Sequence, residues 1–207
     1  PEAKYKYCPH PVYSIFGDAP SQTVAKADLK ISSSKVLMFF GLIREYKGLD
    51  ILINAMEKIK DELEDYTLLI VGECYEDEKK YRDLINNAGI NDHVQSHFKF
   101  VPDDEVGTYF SAADVVVLPY RTASQSGIVQ IAYHYNTPVI VSNVGGLPEI
   151  VDEGKTGYCV DPTAEAFAKA IKIFYEKDNI SEMSSNVSHY KSRFSWDAMV
   201  KTIEDLA

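Results

Sequence analysis

The 207-residue sequence is short of several things that would define its class at once. It has only three cysteines, Cys8, Cys74 and Cys159, widely spaced and with no CxxC among them. An odd, scattered set of this kind suits a reducing compartment such as the cytoplasm, with the thiols expected to be buried. Basic residues are outnumbered, 21 Lys and Arg against 31 Asp and Glu, for a net charge of −10. General binding to a phosphate backbone needs the opposite balance, so no nucleic-acid partner is expected. A local basic pocket for one small anion remains compatible with that charge. The 14 Tyr and nine Phe are spread along the chain and form no stacking platform for bases. No apolar run approaches the roughly 18–20 residues that span a bilayer, and the opening PEAKYKYCPHPVYSIFGD lacks a signal-peptide core. There is no GxxxxGK[ST], no GxGxxG and no HExxH. His93 and His97 are four apart but carry no glutamate after the first; a place at the start of a strand suits them better. Internal repeats and low-complexity linkers are also missing.

The rest is an ordinary globular composition, 45% apolar and 25% charged. The length allows one large domain or two small ones, with roughly 70% of the unfolded surface buried. Short apolar runs recur at Lys35–Gly41, Tyr66–Gly72, Val94–Val101, Asp114–Pro119, Thr137–Ser142 and Thr156–Asp161. Several are nearly all apolar rather than alternating, as in strands covered on both faces of a parallel sheet. Helical stretches lie between them. From Gly48 to Leu63 the apolar residues Leu49, Leu52, Ile53, Met56, Ile59 and Leu63 make one face. Glu76 to Ala88 reads as a surface helix stopped by Gly89. Asp103 or Asp104 can cap a helix to about Ala112, and Gly127 to Tyr135 reads as another. Thr163 caps an amphipathic stretch to Tyr175. Ile180 to Ala207 holds one or two helices, the last capped by Ser195. The expectation is an α/β, Rossmann-like, doubly wound parallel sheet of about six strands with helices on both faces. Residues 1–34 read as a polar, irregular lead-in, 35–178 as the domain and 179–207 as C-terminal helices.

In such a fold ligands sit at the carboxyl ends of the strands. After the first strand, Gly41 allows a sharp exit, and Arg44 and Lys47 stand just before a helix. Two cations beside outward-pointing amides suit a phosphate or diphosphate; the alternative is a solvated pair on a surface turn. After the fourth run, LPYRTASQSGIVQ places Gly127 at a helix start, with Thr122, Ser126 and Arg121 as further donors. An ordinary capped loop is the alternative here. In the third loop, Gly145 and Gly146 permit close approach and Pro148 suits the first turn of a helix. Glu149 would favour that helix end or meet a ligand.

FFGLIREYKGLDILINAM, LLIVGE, FVPDDEVGTYFSAADVVVLPY and NTPVIVSNVGGLPEIVDEGKTGYCVDP together resemble the C-terminal domain of family 4 (group 1) glycosyltransferases, over roughly Lys35 to Phe174. The closing FSWDAMVKTIEDL resembles that family's last helix. The resemblance implies one half of a GT-B fold. This half would bind the nucleotide-sugar donor, commonly a UDP- or GDP-sugar, and a missing N-terminal half would bind the acceptor. It implies transfer of a hexosyl unit to a glycan or lipid-linked acceptor, with retention and without metal or other cofactor. The absence of a DxD sequence agrees with the metal-free expectation. Lys47 falls on the family's lysine. Leu42 stands where its arginine would follow Gly41, and Arg44 is the natural substitute. Gly72 fits the glycine after the second strand, and Lys99 and Phe100 lie where backbone groups meet the base.

The main departure concerns two family glutamates. Ile131 and Ala123 stand at their positions. Gln125 or Gln130 would take over by neutral hydrogen bonds, and the amides of Ser126, Gly127 and Ile128 would still hold phosphate. Two functions follow: the donor half of a transferase, or a non-catalytic nucleotide-sugar-binding or interaction module. The chain is expected to fold by itself, to transfer no sugar by itself, and to touch the inner membrane face only through the missing half. Its last helix is expected to pack toward that half.

Overall fold

The computed structural model describes residues 8, 10–13, 15–177 and 179–206. Six parallel strands form one sheet: β1 (Lys35–Phe40), β2 (Tyr66–Val71), β3 (Val94–His97), β4 (Val115–Leu118), β5 (Val139–Ser142) and β6 (Gly157–Val160). Their order is β3-β2-β1-β4-β5-β6. The helices are α1 (Gln22–Asp28), α2 (Leu49–Ile59), α3 (Glu78–Ala88), α4 (Asp103–Ala112), α5 (Gly127–His134), α6 (Ala164–Glu176), α7 (Ile180–Tyr190) and α8 (Trp196–Glu204). This is the expected Rossmann-like α/β arrangement.

The continuous apolar runs have a direct cause. Successive strand residues point to opposite faces. Leu37 and Phe39 of β1 enter one core with Leu52 and Met56 of α2 and Phe167 of α6. Met38 and Phe40 enter a second core with Phe110 of α4 and Val129 of α5. Both faces are roofed by helices, so neither can be polar. The strand order reverses between β1 and β4, which opens a crevice where their following loops diverge. The two loops singled out for phosphate are the ones that leave those two strands.

The caps on Thr163 and Ser195 form as expected, accepting from the amides of Ala166 and Ala198 at 3.2 and 3.1 Å. Gly89 ends α3 in the left-handed region. Other expectations are corrected. The lead-in contains α1: Ser21 caps it, Ala25 is fully buried, and Gln22 donates to Asp114 at 2.7 Å. Its apolar face is too narrow to read from the sequence. β3 ends at His97, well before Val101, because β2 ends at Val71 and Gly72 gives the last ladder bond to the His97 carbonyl. Asp103 is the first residue of α4 rather than its cap, which is Pro102. Pro148 opens no helix: residues 148–150 form a turn, pinned where Tyr133 donates to the Ile150 carbonyl. The cysteines are half-buried rather than buried.

None of the residues of α8 is buried, and Trp196, Val200 and Ile203 expose an apolar stripe at helical spacing. Among the described residues no helix is long and apolar enough to cross a membrane.

Candidate anion-binding site

Three loops interlock at the crevice. The β1 loop makes a single 3-10 turn, Glu45–Lys47, and enters α2 through Gly48 at φ 67°. A Cβ on Gly48 would stand 2.0 Å from the Pro119 carbonyl oxygen, so only glycine lets the β4–α5 loop approach there. Arg121 of that loop forks Asp50 in the first turn of α2, Nη1 to Oδ1 at 2.9 Å and Nη2 to Oδ2 at 2.5 Å. Its backbone amide donates to the Tyr46 carbonyl at 2.8 Å. The third loop joins through Gly146, whose amide donates to the Ser124 carbonyl at 3.0 Å.

Lys47 is held inside this frame. Its Nζ donates to the Tyr120 hydroxyl at 2.8 Å and lies 4.0 Å from the centre of that ring. The Tyr46 ring stands 5.4 Å away on another side. Among the described residues no carboxylate pairs with it. Burial pushes its pKa down to about 8, because desolvation disfavours the ammonium. Aromatic faces return part of that cost. A half-desolvated cation with only neutral partners is a site in want of an anion.

Tyr120 links the lysine to a helix end. It is 1% exposed, and burial pushes its phenol upward. Its oxygen lies 3.4 Å from Ser126 Oγ. Ser126 occupies the N-cap of α5 yet makes no capping bond with its side chain. The first turn of α5 carries no acidic residue. The amides of Gly127 and Ile128 donate to no described backbone oxygen outside the helix. They form the positive end of the helix, where Gly127 is exposed and a Cβ on it would stand 3.2 Å from Cε2 of the Tyr13 ring.

The other residues named from the sequence fall in different places. Gly41 and Gly72 lie side by side at the ends of β1 and β2; a Cβ on Gly72, at φ 140°, would stand 2.0 Å from the Gly41 oxygen. The fold itself therefore demands glycine at position 72. Arg44 does not converge with Lys47. It is exposed, stacks 4.8 Å from the Tyr75 ring and lines a separate cavity of about 550 Å³ with Tyr46, Glu76 and Arg121. Ile128 covers Gly41. Gln130 is two residues further on, about 200° around the helix, 1% exposed, with neither amide atom partnered among the described residues. Gln125 is exposed. Lys99 and Phe100 are exposed beyond β3, and Lys99 pairs with Glu105 at 3.5 Å. Ile131 is buried in the second core, so no acidic side chain stands at its position. Among the described residues no three His, Cys, Asp or Glu gather as a metal site. Tyr120 is not among the residues named from the sequence; its signal there is an aromatic side chain where an apolar strand turns into a polar loop.

The family described as "Glycosyl transferases group 1" matches residues 21–194. The chain is 28% identical over 182 residues to the D-inositol 3-phosphate glycosyltransferase of Corynebacterium urealyticum, covering 84% of this chain and 43% of that protein. Its fold is similar to sucrose-phosphate synthase from Thermosynechococcus elongatus, with a TM-score of 0.81, 24% identity and coverage of 96% of this chain and 50% of that one. It is also similar to Anabaena Alr3699/HepE, solved in complex with UDP, with a TM-score of 0.78, 22% identity and coverage of 94% and 56%. The chain thus spans about half the length of these proteins.

Proposed function

Because this chain belongs to the group 1 glycosyl transferases, we propose that it is the half of such an enzyme that holds the nucleotide-sugar donor. The observation that carries the reading is Lys47, unpaired with any described acid and tied through Tyr120 to the open end of α5 at the sheet's switch point. The UDP in the similar HepE structure supports a nucleoside diphosphate as the ligand class. The diphosphate would lie between Lys47 Nζ and the amides of Gly127 and Ile128. As the bond to the sugar breaks, negative charge grows on the leaving diphosphate, and these fixed donors stabilise it without reorganising. The charge is carried by the protein's own groups, with no metal in the scheme. Arg44 rests on the Tyr75 ring and would have to leave it to add a second positive charge. A hexosyl unit passes with retention from a UDP- or GDP-sugar to a glycan or lipid-linked acceptor held by the other half of the enzyme. That half covers the stripe of Trp196, Val200 and Ile203.

A second reading is favoured by Ala123 and Ile131: a module that binds the donor without catalysing transfer. Calorimetry with UDP-, GDP- and ADP-sugars, followed by transfer assays on the complete enzyme, separates the two. Donor binding with turnover that falls in the Arg44→Ala/Lys47→Ala variant supports the transferase. Binding without turnover supports the module, and no nucleotide binding excludes both.

A further inference from the structure

Tyr120 stands between the two anion-holding elements and touches both. An N-cap serine ordinarily turns its oxygen to the second or third amide of its helix, here that of Ile128 or Val129. Ser126 does not; its Oγ lies 3.4 Å from Tyr120 Oη instead. An ammonium only donates, so Tyr120 Oη accepts from Lys47 at 2.8 Å. The same oxygen meets Ser126 Oγ at 3.4 Å, where either hydroxyl can be the donor. Tyr120 is itself fixed: 1% exposed, edge-on to Tyr46 at 6.4 Å, and followed by Arg121 in its fork with Asp50.

We propose that Tyr120 is a positioning residue: it draws Ser126 away from the α5 amides and holds Lys47 beside them, so that the helix end stays open to a diphosphate. It rests on the donor reading for the identity of the ligand, while the arrangement itself is testable with the anion alone. Without the phenol oxygen, Ser126 turns back to cap α5 and competes with the ligand for the same amides. A serine cap shifts such an equilibrium by roughly fivefold, and the lost hydrogen bond to Lys47 adds a further few-fold.

The test is calorimetric titration of inorganic pyrophosphate into the native chain, Tyr120→Phe, and Tyr120→Phe/Ser126→Ala, with a melting curve for each. Tyr120→Phe keeps the buried ring and is expected to weaken binding about tenfold. The double variant has no competing cap and is expected to recover roughly fivefold of that loss. A purely structural role would make the second substitution neutral or harmful. Amide hydrogen exchange gives a ligand-free readout: protection at Ile128 and Val129 rises in Tyr120→Phe and falls again in the double variant. Unchanged binding in Tyr120→Phe, no recovery in the double variant, unchanged exchange, or no pyrophosphate binding by the native chain would each overturn the proposal. UDP titrated in parallel isolates the donor reading. Pyrophosphate binding that follows this pattern without any UDP binding removes the donor reading and leaves the role of Tyr120 intact; UDP binding indifferent to Tyr120→Phe does the reverse.

Discussion

Lys47 should make donor affinity depend on pH in a way its replacement by arginine abolishes. Burial holds the free lysine's pKa at about 8, and the groups around it are the neutral rings of Tyr46 and Tyr120. A bound diphosphate favours the ammonium and raises that pKa. The sign follows: affinity is full below about pH 8 and is lost as pH rises through that value. With a free pKa near 8, about nine-tenths of the lysine is charged at about pH 7 and about one-tenth at about pH 9. The dissociation constant should therefore rise roughly tenfold across that interval. A UDP-sugar is the probe of choice, since its diphosphate diester does not titrate there. Calorimetry in buffers of different ionisation enthalpy counts protons directly: nearly one taken up per donor bound at about pH 9, about one-tenth at about pH 7. Lys47→Arg stays charged throughout and should bind with a flat profile. A dissociation constant that stays within about twofold between about pH 7 and pH 9, or an equal fall in Lys47→Arg, would refute the reasoning.

Two further outcomes follow from the packing. Gly145→Ala should lower the melting temperature by roughly 4–8 °C, because position 145 has φ 54° and a Cβ there would stand 1.5 Å from the Ala123 carbonyl oxygen. Gly154→Ala, with φ 74° but nothing within 4 Å, should cost clearly less, and equal losses would count against the interlocked loops. Trp196 is the sole tryptophan and is 55% exposed. Its emission should be that of solvated indole in this chain and shift to shorter wavelength when the proposed acceptor half is present. An unshifted spectrum would mean that no such half covers α8.

Fold and site were not equally legible in the sequence. The sheet was readable because both its faces are roofed, which leaves strands such as Val115–Leu118 apolar from end to end. Caps on Thr163 and Ser195 were readable because capping is local. What escaped depends on distant partners. The end of β3 is set by where β2 stops, and residues 148–150 are shaped by Tyr133. Gly72 looked like a glycine placed for a ligand, yet it already owes its identity to Gly41. Arg44 and Lys47 looked like a pair from their spacing, but each rests on a different ring, Tyr75 and Tyr120. Tyr120 escaped because its importance comes from touching two elements that lie far apart in the chain, Lys47 and Ser126.

The most direct test of the central claim is a crystal structure of this chain with UDP. The diphosphate should lie between Lys47 Nζ and the amides of Gly127 and Ile128, with Ser126 still turned to Tyr120. A diphosphate bound instead in the cavity of Arg44, Tyr75 and Arg121, or anywhere out of reach of Lys47, would contradict it.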